Sequence, residues 1–93
     1  MLSQMPISLD KVRKEDLEKE ILRVGIIAEL DAINLYEQLA NMTKNDSTKK
    51  VLLDIAKEEK THVGEFLTLL LKEDSEQEKE LEEGKKEVEE LAE

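Results

Sequence analysis

Apolar side chains recur at intervals of three and four along most of the chain, which predicts helices rather than strands. The first such pattern runs from about Leu9 to about Met42 and places Leu22, Ile26, Ile33, Tyr36 and Ala40 on one stripe. The second runs from about Ser47 to about Lys72 and does the same with Leu52, Ile55, Phe66 and Leu69. Pro6 and Ser8 precede the first pattern, and Ser8 suits an N-cap. Between the two lies Lys44-Asn45-Asp46-Ser47, where Asn45 suits a left-handed helix stop and Asp46 or Ser47 the next N-cap. So short a connection makes the helices antiparallel neighbours. Beyond Lys72 only Leu81, Val88 and Leu91 offer a thin apolar edge. That stretch reads as a solvated helix broken near Gly84, or as disorder. The expected division is an N-terminal extension (1–8), a helical hairpin (9–72) and an acidic C-terminal tail or helix (73–93).

Composition narrows the function. With 93 residues, one Phe, one Tyr and no Trp, the chain can bury only a modest core alone, so oligomerisation is expected. Three Gly and one Pro leave little material for the turns of a β fold, and the fold class is all-α. The absence of Cys excludes disulfides, zinc–thiolate sites, iron–sulfur clusters and Cys nucleophiles. The formal net charge of -10 argues against nucleic-acid and anionic-membrane partners, which need a basic footprint. No apolar run approaches the roughly 20 residues of a membrane span. Met1 to Arg13 lacks the apolar core of a signal peptide, so a cytoplasmic location is expected. Acidity concentrates in the tail: residues 73–93 hold 11 acids and 3 bases, while residues 1–72 hold 13 and 11. The tail is expected to act as a tether or a weak cation collector, outside any catalytic site.

Both stripes are interrupted at their centres by ionisable groups, Glu29 on the first helix and Glu59 and His62 on the second. A carboxylate on an apolar stripe is costly unless paired, protonated or metal-bound. Glu59-Lys60-Thr61-His62 is an E-x-x-H motif, whose i and i+3 side chains leave a helix on one face and can ligate one ion together. Glu29 and Glu59 lie equally far from Lys44, so the hairpin sets them at one height, roughly 22 Å from its turn. A di-iron carboxylate bundle needs a Glu from each of two helices and Glu-x-x-His from each of the other two. One chain supplies half of that set, and a two-fold dimer supplies all of it on four helices. Ligands of this type favour iron or manganese, with zinc and calcium as substitutes or at secondary sites. The same residues also fit a metal-free interface held by Glu–His ion pairs. Tyr36, two turns from Glu29, suits either core packing or a place beside the site. Asp31 suits an acidic path for incoming cations or an exposed helix face. The single His leaves no catalytic triad, and there is no glycine-rich phosphate loop.

The stretch Ala28-Glu29-Leu30-Asp31-Ala32-Ile33-Asn34-Leu35-Tyr36-Glu37-Gln38, followed by Glu58-Glu59-Lys60-Thr61-His62, resembles the encapsulated ferritins. These are two-helix members of the ferritin-like superfamily housed in encapsulin compartments of bacteria and archaea. The resemblance covers about residues 18–72. It implies a ferroxidase whose di-iron centre is bound by Glu29, Glu59 and His62 of both chains of a dimer, with Tyr36 close by as a further catalytic residue. The dimers are expected to form a ring, a homodecamer, and the encapsulin shell to store the iron mineral. Asp31 fits the acids that pass metal ions inward in such proteins, whereas Ala28 and Leu35 supply no ligand. Val88-Glu89-Glu90-Leu91-Ala92-Glu93 is too acidic to resemble the docking peptide of free cargo, which points to the N-terminal domain of a ferritin–encapsulin fusion. The alternatives are a rubrerythrin-like di-iron peroxide reductase and a metal-free helical assembly or adaptor domain.

Overall fold

In the computed structural model of the protein, residues 8–92 are described. Pro6 and Glu93 lie outside them. The described residues form two short 3-10 turns and three α-helices, with no strand among them. Helix α1 spans Leu17–Met42, α2 spans Asp46–Glu73 and α3 spans Ser75–Ala92. The all-α expectation holds, and α1 and α2 pack as the antiparallel hairpin.

The first helix starts later than the apolar pattern suggests. Leu9–Lys11 and Lys14–Asp16 are single 3-10 turns, closed by Lys11 N–H to the Ser8 carbonyl and Asp16 N–H to the Arg13 carbonyl, both at 2.9 Å. Arg13 between them is extended (φ -63°, ψ 143°). Ser8 therefore opens a turn rather than a helix. From Lys11 to Asp16 Val12 is the only apolar residue, so no stripe exists there to hold a helix on the hairpin. Arg13 instead turns its guanidinium to Asp16, with Nε and Nη2 each 2.9 Å from Oδ2.

The hairpin turn also differs from expectation. Helix α1 ends at Thr43, which is extended, and its N–H bonds the Leu39 carbonyl at 3.1 Å. Asn45 is itself the N-cap of α2: its side chain accepts from Thr48 N–H at 2.9 Å. No described non-glycine residue has positive φ, so the left-handed stop is absent. The Thr43 hydroxyl, 3.2 Å from Asn45 N–H, and the extended Asn45 backbone reverse the chain without it.

Burial shows which face the hairpin covers by itself. Leu22, Ile33 and Ala40 of α1 are buried, and so are Ala56 and Leu70 of α2. Each larger member contributes roughly 1.5–3 kcal/mol over the exposed state. Leu69, assigned to the seam from its spacing, is 49% exposed, while its neighbour Leu70 is 3% exposed. Leu69 lies seven residues from His62, almost in line with it at 3.6 residues per turn. The stripe carrying Glu59 and His62 is thus displaced from the stripe that packs inside the hairpin. Ile27, Leu30 and Leu53 are also substantially exposed. The molecule measures 47 × 44 × 20 Å, with a radius of gyration of 16.5 Å. A compact domain of this length has a radius near 12 Å.

Helix α3 is continuous through Gly84, contrary to the expected break; nothing lies within 4 Å of that glycine's Cβ direction. Asp74 joins it to α2. The residue leaves helical geometry (φ -138°, ψ 88°) and is 8% exposed. One carboxylate oxygen accepts from Gln77 N–H at 3.1 Å, capping α3, and the other from Arg23 of α1 at 2.9 Å. The Gln77 N–H holds the Asp74 carboxyl below the ordinary aspartate range; burial opposes this, and Lys19 and Arg23 reinforce it. A carboxyl lowered on folding stabilises above its unfolded pKa, and that contribution drains away as pH falls through the folded value. Asp74→Asn keeps a capping oxygen but loses the charge attraction. Thermal melts followed by circular dichroism should show this variant less stable than wild type at pH 7. The gap should narrow as pH falls below about 4, the ordinary aspartate value.

Candidate metal centre

Glu29 sits midway along the 26-residue α1 and Glu59 midway along the 28-residue α2, so antiparallel packing brings them level. His62 follows Glu59 by three residues and leaves α2 on the same side. The result is one cluster in which ligand atoms of Glu29, Glu59 and His62 all lie within 4.8 Å of one another. His62 Nδ1 is 3.3 Å from Glu29 Oε2 and 3.4 Å from Glu59 Oε2. Both contacts are long for an N–H···O bond, and a single N–H cannot serve two carboxylates well. Separations of this size also suit neighbouring ligands of one ion bound at about 2.1 Å. The two glutamate side chains are 19% exposed and the imidazole 42%. The cluster therefore lies at the edge of the hairpin, on the stripe that the chain leaves half covered.

The donor set, two carboxylates and one imidazole without sulfur, is one that suits iron, manganese or zinc. Two carboxylates this close repel unless a proton, an imidazolium or a cation lies between them. The residues present thus fit a divalent metal, and either Glu29 or Glu59 has a second oxygen with which to bridge to another.

Other residues singled out in the sequence fall elsewhere. Tyr36 is half-buried on α1, two turns or about 10 Å along the axis from Glu29, and is not part of the cluster. Asp31 lies about 200° round the helix from Glu29 and is 9% exposed, with interactions of its own. The structure does not bring it to the cluster. Glu37 pairs with Lys60 across the hairpin at 3.2 Å, so the residue inside E-x-x-H that points away from the ligands ties the two helices together.

Two features escaped the sequence reading. Asp74 falls within the acidic tail by composition, although it binds Arg23 and caps α3; an Asp three residues before a polar helical residue is the signal the sequence offers. Gly25 carries no distinguishing signal in the sequence, since Gly64 is equally mid-helix with nothing within 4 Å of its Cβ direction. The position of Gly25 under the Phe66 ring is visible only in three dimensions.

The family model described as Rubrerythrin matches residues 20–93. The chain is 55% identical over 93 residues to the ferritin-like-encapsulin shell fusion protein of Pyrococcus furiosus, a match covering 98% of this chain and 27% of that one. It is 39% identical over 67 residues to the encapsulin nanocompartment cargo protein EncC of Myxococcus xanthus, covering 72% of this chain and 51% of that one. The chain thus spans about a quarter and about half of these two relatives. The crystal structure of the encapsulated ferritin domain from Pyrococcus furiosus superposes with a TM-score of 0.83 at 54% identity, covering 98% of this chain and 95% of that one. A helical hairpin with a level carboxylate–imidazole cluster, matched in sequence and in structure over nearly its whole length, belongs to the rubrerythrin family of ferritin-like domains and, within it, to the encapsulated ferritins.

Proposed function

We propose that the chain is a ferroxidase, taking Fe(II) as substrate at a di-iron site completed by a second copy of itself and supplying Fe(III) for storage in an encapsulin compartment. The observation that carries this reading is the Glu29–Glu59–His62 cluster at mid-height, on a face the hairpin leaves half covered. A second hairpin laid on that face by a two-fold axis would double the ligand set and cover Leu69 and its neighbours. The names of the two relatives, a shell fusion and a cargo protein, support the encapsulin association.

When iron is bound, two Fe(II) ions give up one electron each, and O₂ takes the pair with two protons to leave hydrogen peroxide. The chain's part is to bind and orient. Glu29 and Glu59 supply negative charge that favours Fe(III) over Fe(II). His62 presents Nδ1 to the same point as both carboxylates, so its lone pair is available when the proton is on Nε2. The Lys60–Glu37 pair joins the two helices beside the cluster. Family membership in the rubrerythrins favours a second reading, in which hydrogen peroxide rather than O₂ accepts the electrons at the same residues.

Two outcomes are expected. Native mass spectrometry should find dimers joined into rings, with ten copies as the expected closed form, and metal loading should favour assembly because it neutralises interface carboxylates. A metal-loaded monomer with a complete site would overturn the reading. In Fe(II) oxidation assays, Glu29→Ala, Glu59→Ala and His62→Ala should each lose more than the roughly 10–100-fold that removal of an outer-shell metal partner costs. Unchanged progress curves in all three would rule the cluster out, and metal analysis of the purified protein tests the metal-free assembly reading. Turnover with peroxide against O₂ separates the two oxidants. Tyr36→Phe should slow oxidation without weakening metal binding if the phenol serves the site.

A further inference from the structure

We propose that Phe66, laid flat on Gly25, is a positioning residue for the metal cluster, and that position 25 is glycine so that this ring can brace Glu29 and His62. The proposal rests on the metal-site reading above.

The geometry at Gly25 is unlike that at the other two glycines. A Cβ built there would lie 3.2 Å from Phe66 Cε1, 3.3 Å from Cδ1 and 3.3 Å from Cε2, whereas nothing lies within 4 Å at Gly64 or Gly84. Cδ1 and Cε2 lie diametrically across the ring from each other. Their near-equal distances mean that the face of the ring, not its edge, rests on the α1 backbone. Gly25 is one turn before Glu29 on α1, and Phe66 one turn after His62 on α2.

Side chains on a helix lean toward its N-terminus. The Glu29 side chain therefore leans toward the level of Gly25. Because α2 runs the other way, the Phe66 ring leans toward the level of His62. The ring thus occupies the space into which Glu29 would swing, one turn from the imidazole and level with the side of the cluster that faces the open end of the hairpin. It limits the rotamers of the carboxylate and keeps water from that side. A methyl group at position 25 would push the ring outward by a few tenths of an ångström and disturb that brace.

A plain packing role and a positioning role predict opposite signs in Gly25→Ala. Alanine is the better helix former, so the metal-free variant should melt no lower than wild type. Co(II) serves as the probe, because its visible bands report ligand geometry without any turnover. Co(II) affinity should fall about tenfold, the range for loss of an outer-shell support, and the bands should shift. The double variant Gly25→Ala/Phe66→Leu should bind Co(II) no worse than Phe66→Leu alone, since the smaller side chain leaves room for the methyl. Unchanged affinity and bands in Gly25→Ala would overturn the proposal, as would a fall in affinity matched by a fall in metal-free melting temperature. Fully additive losses in the double variant would overturn it too. A wild type that takes up no Co(II) would overturn the metal-site reading itself, while a binding wild type with indifferent variants overturns only the role of Phe66.

Discussion

Two carboxylates within 4.8 Å of each other on an otherwise apolar helix face repel, and each has lost part of its hydration. That arrangement costs free energy in the metal-free chain, and the remaining features of the fold limit how it can be relieved. At this height Ile33 is buried, the Phe66 ring lies on Gly25, and Lys60 pairs with Glu37 across the helices. Among the described residues His62 is the group seen bonding both carboxylates, and its single Nδ1 is divided between them. A site held this way is suited to a divalent ion, because the ion supplies what the imidazole cannot, two full positive charges at one point.

The same constraint bears on assembly. The hairpin buries Leu22, Ile33 and Leu70, but the described residues form no second helix layer over Ile27, Leu30 or Leu69, which stay substantially exposed. Longer ferritin-like chains obtain that layer from their own sequence. In this chain the exposed Leu69 lies on the face that carries the half set of ligands, whereas Ile27 and Leu30 lie about 160° and 100° round α1 from Glu29, so covering Leu69 and completing the ligands would be a single event. The coupling makes the proposed chemistry and the proposed dimer two views of one free-energy problem.

The hairpin and its cluster were legible in the sequence because their signals are periodic. Glu29, Glu59 and His62 stand out as interruptions of a stripe, and equal spacing from the turn is enough to set them level. Signals that depend on a partner in space were not legible. The start of α1 at Leu17 rather than Leu9 reflects a run of charges with nothing to pack on, which a stripe continued through Leu9 and Val12 conceals. Leu69 and Leu70 exchange places because a seam spaced at 3.5 drifts from the real helix at 3.6 residues per turn. Gly84 reads as a break, yet an isolated glycine costs a helix only about 1 kcal/mol, which the neighbouring good helix formers and pairs such as Lys86–Glu83 offset. Asp74 is invisible as a latch until Arg23, 51 residues earlier, is seen beside it.

Asp74 also gives the molecule a mechanical property. Helix α3 is 18 residues long, a rigid rod of about 27 Å, and its only joint is the one residue that leaves helical geometry. A rod hinged at one end amplifies. A swing of about 10° at that joint carries the far end near Ala92 through about 5 Å, on the rise per residue of an ideal helix. The Arg23 guanidinium grips the lever next to its fulcrum, where a small displacement of the carboxylate has the greatest angular effect. The direction in which the far end aims is therefore set where the Asp74 carboxylate is shared between Arg23 of α1 and the Gln77 N–H of α3, rather than by anything farther along α3.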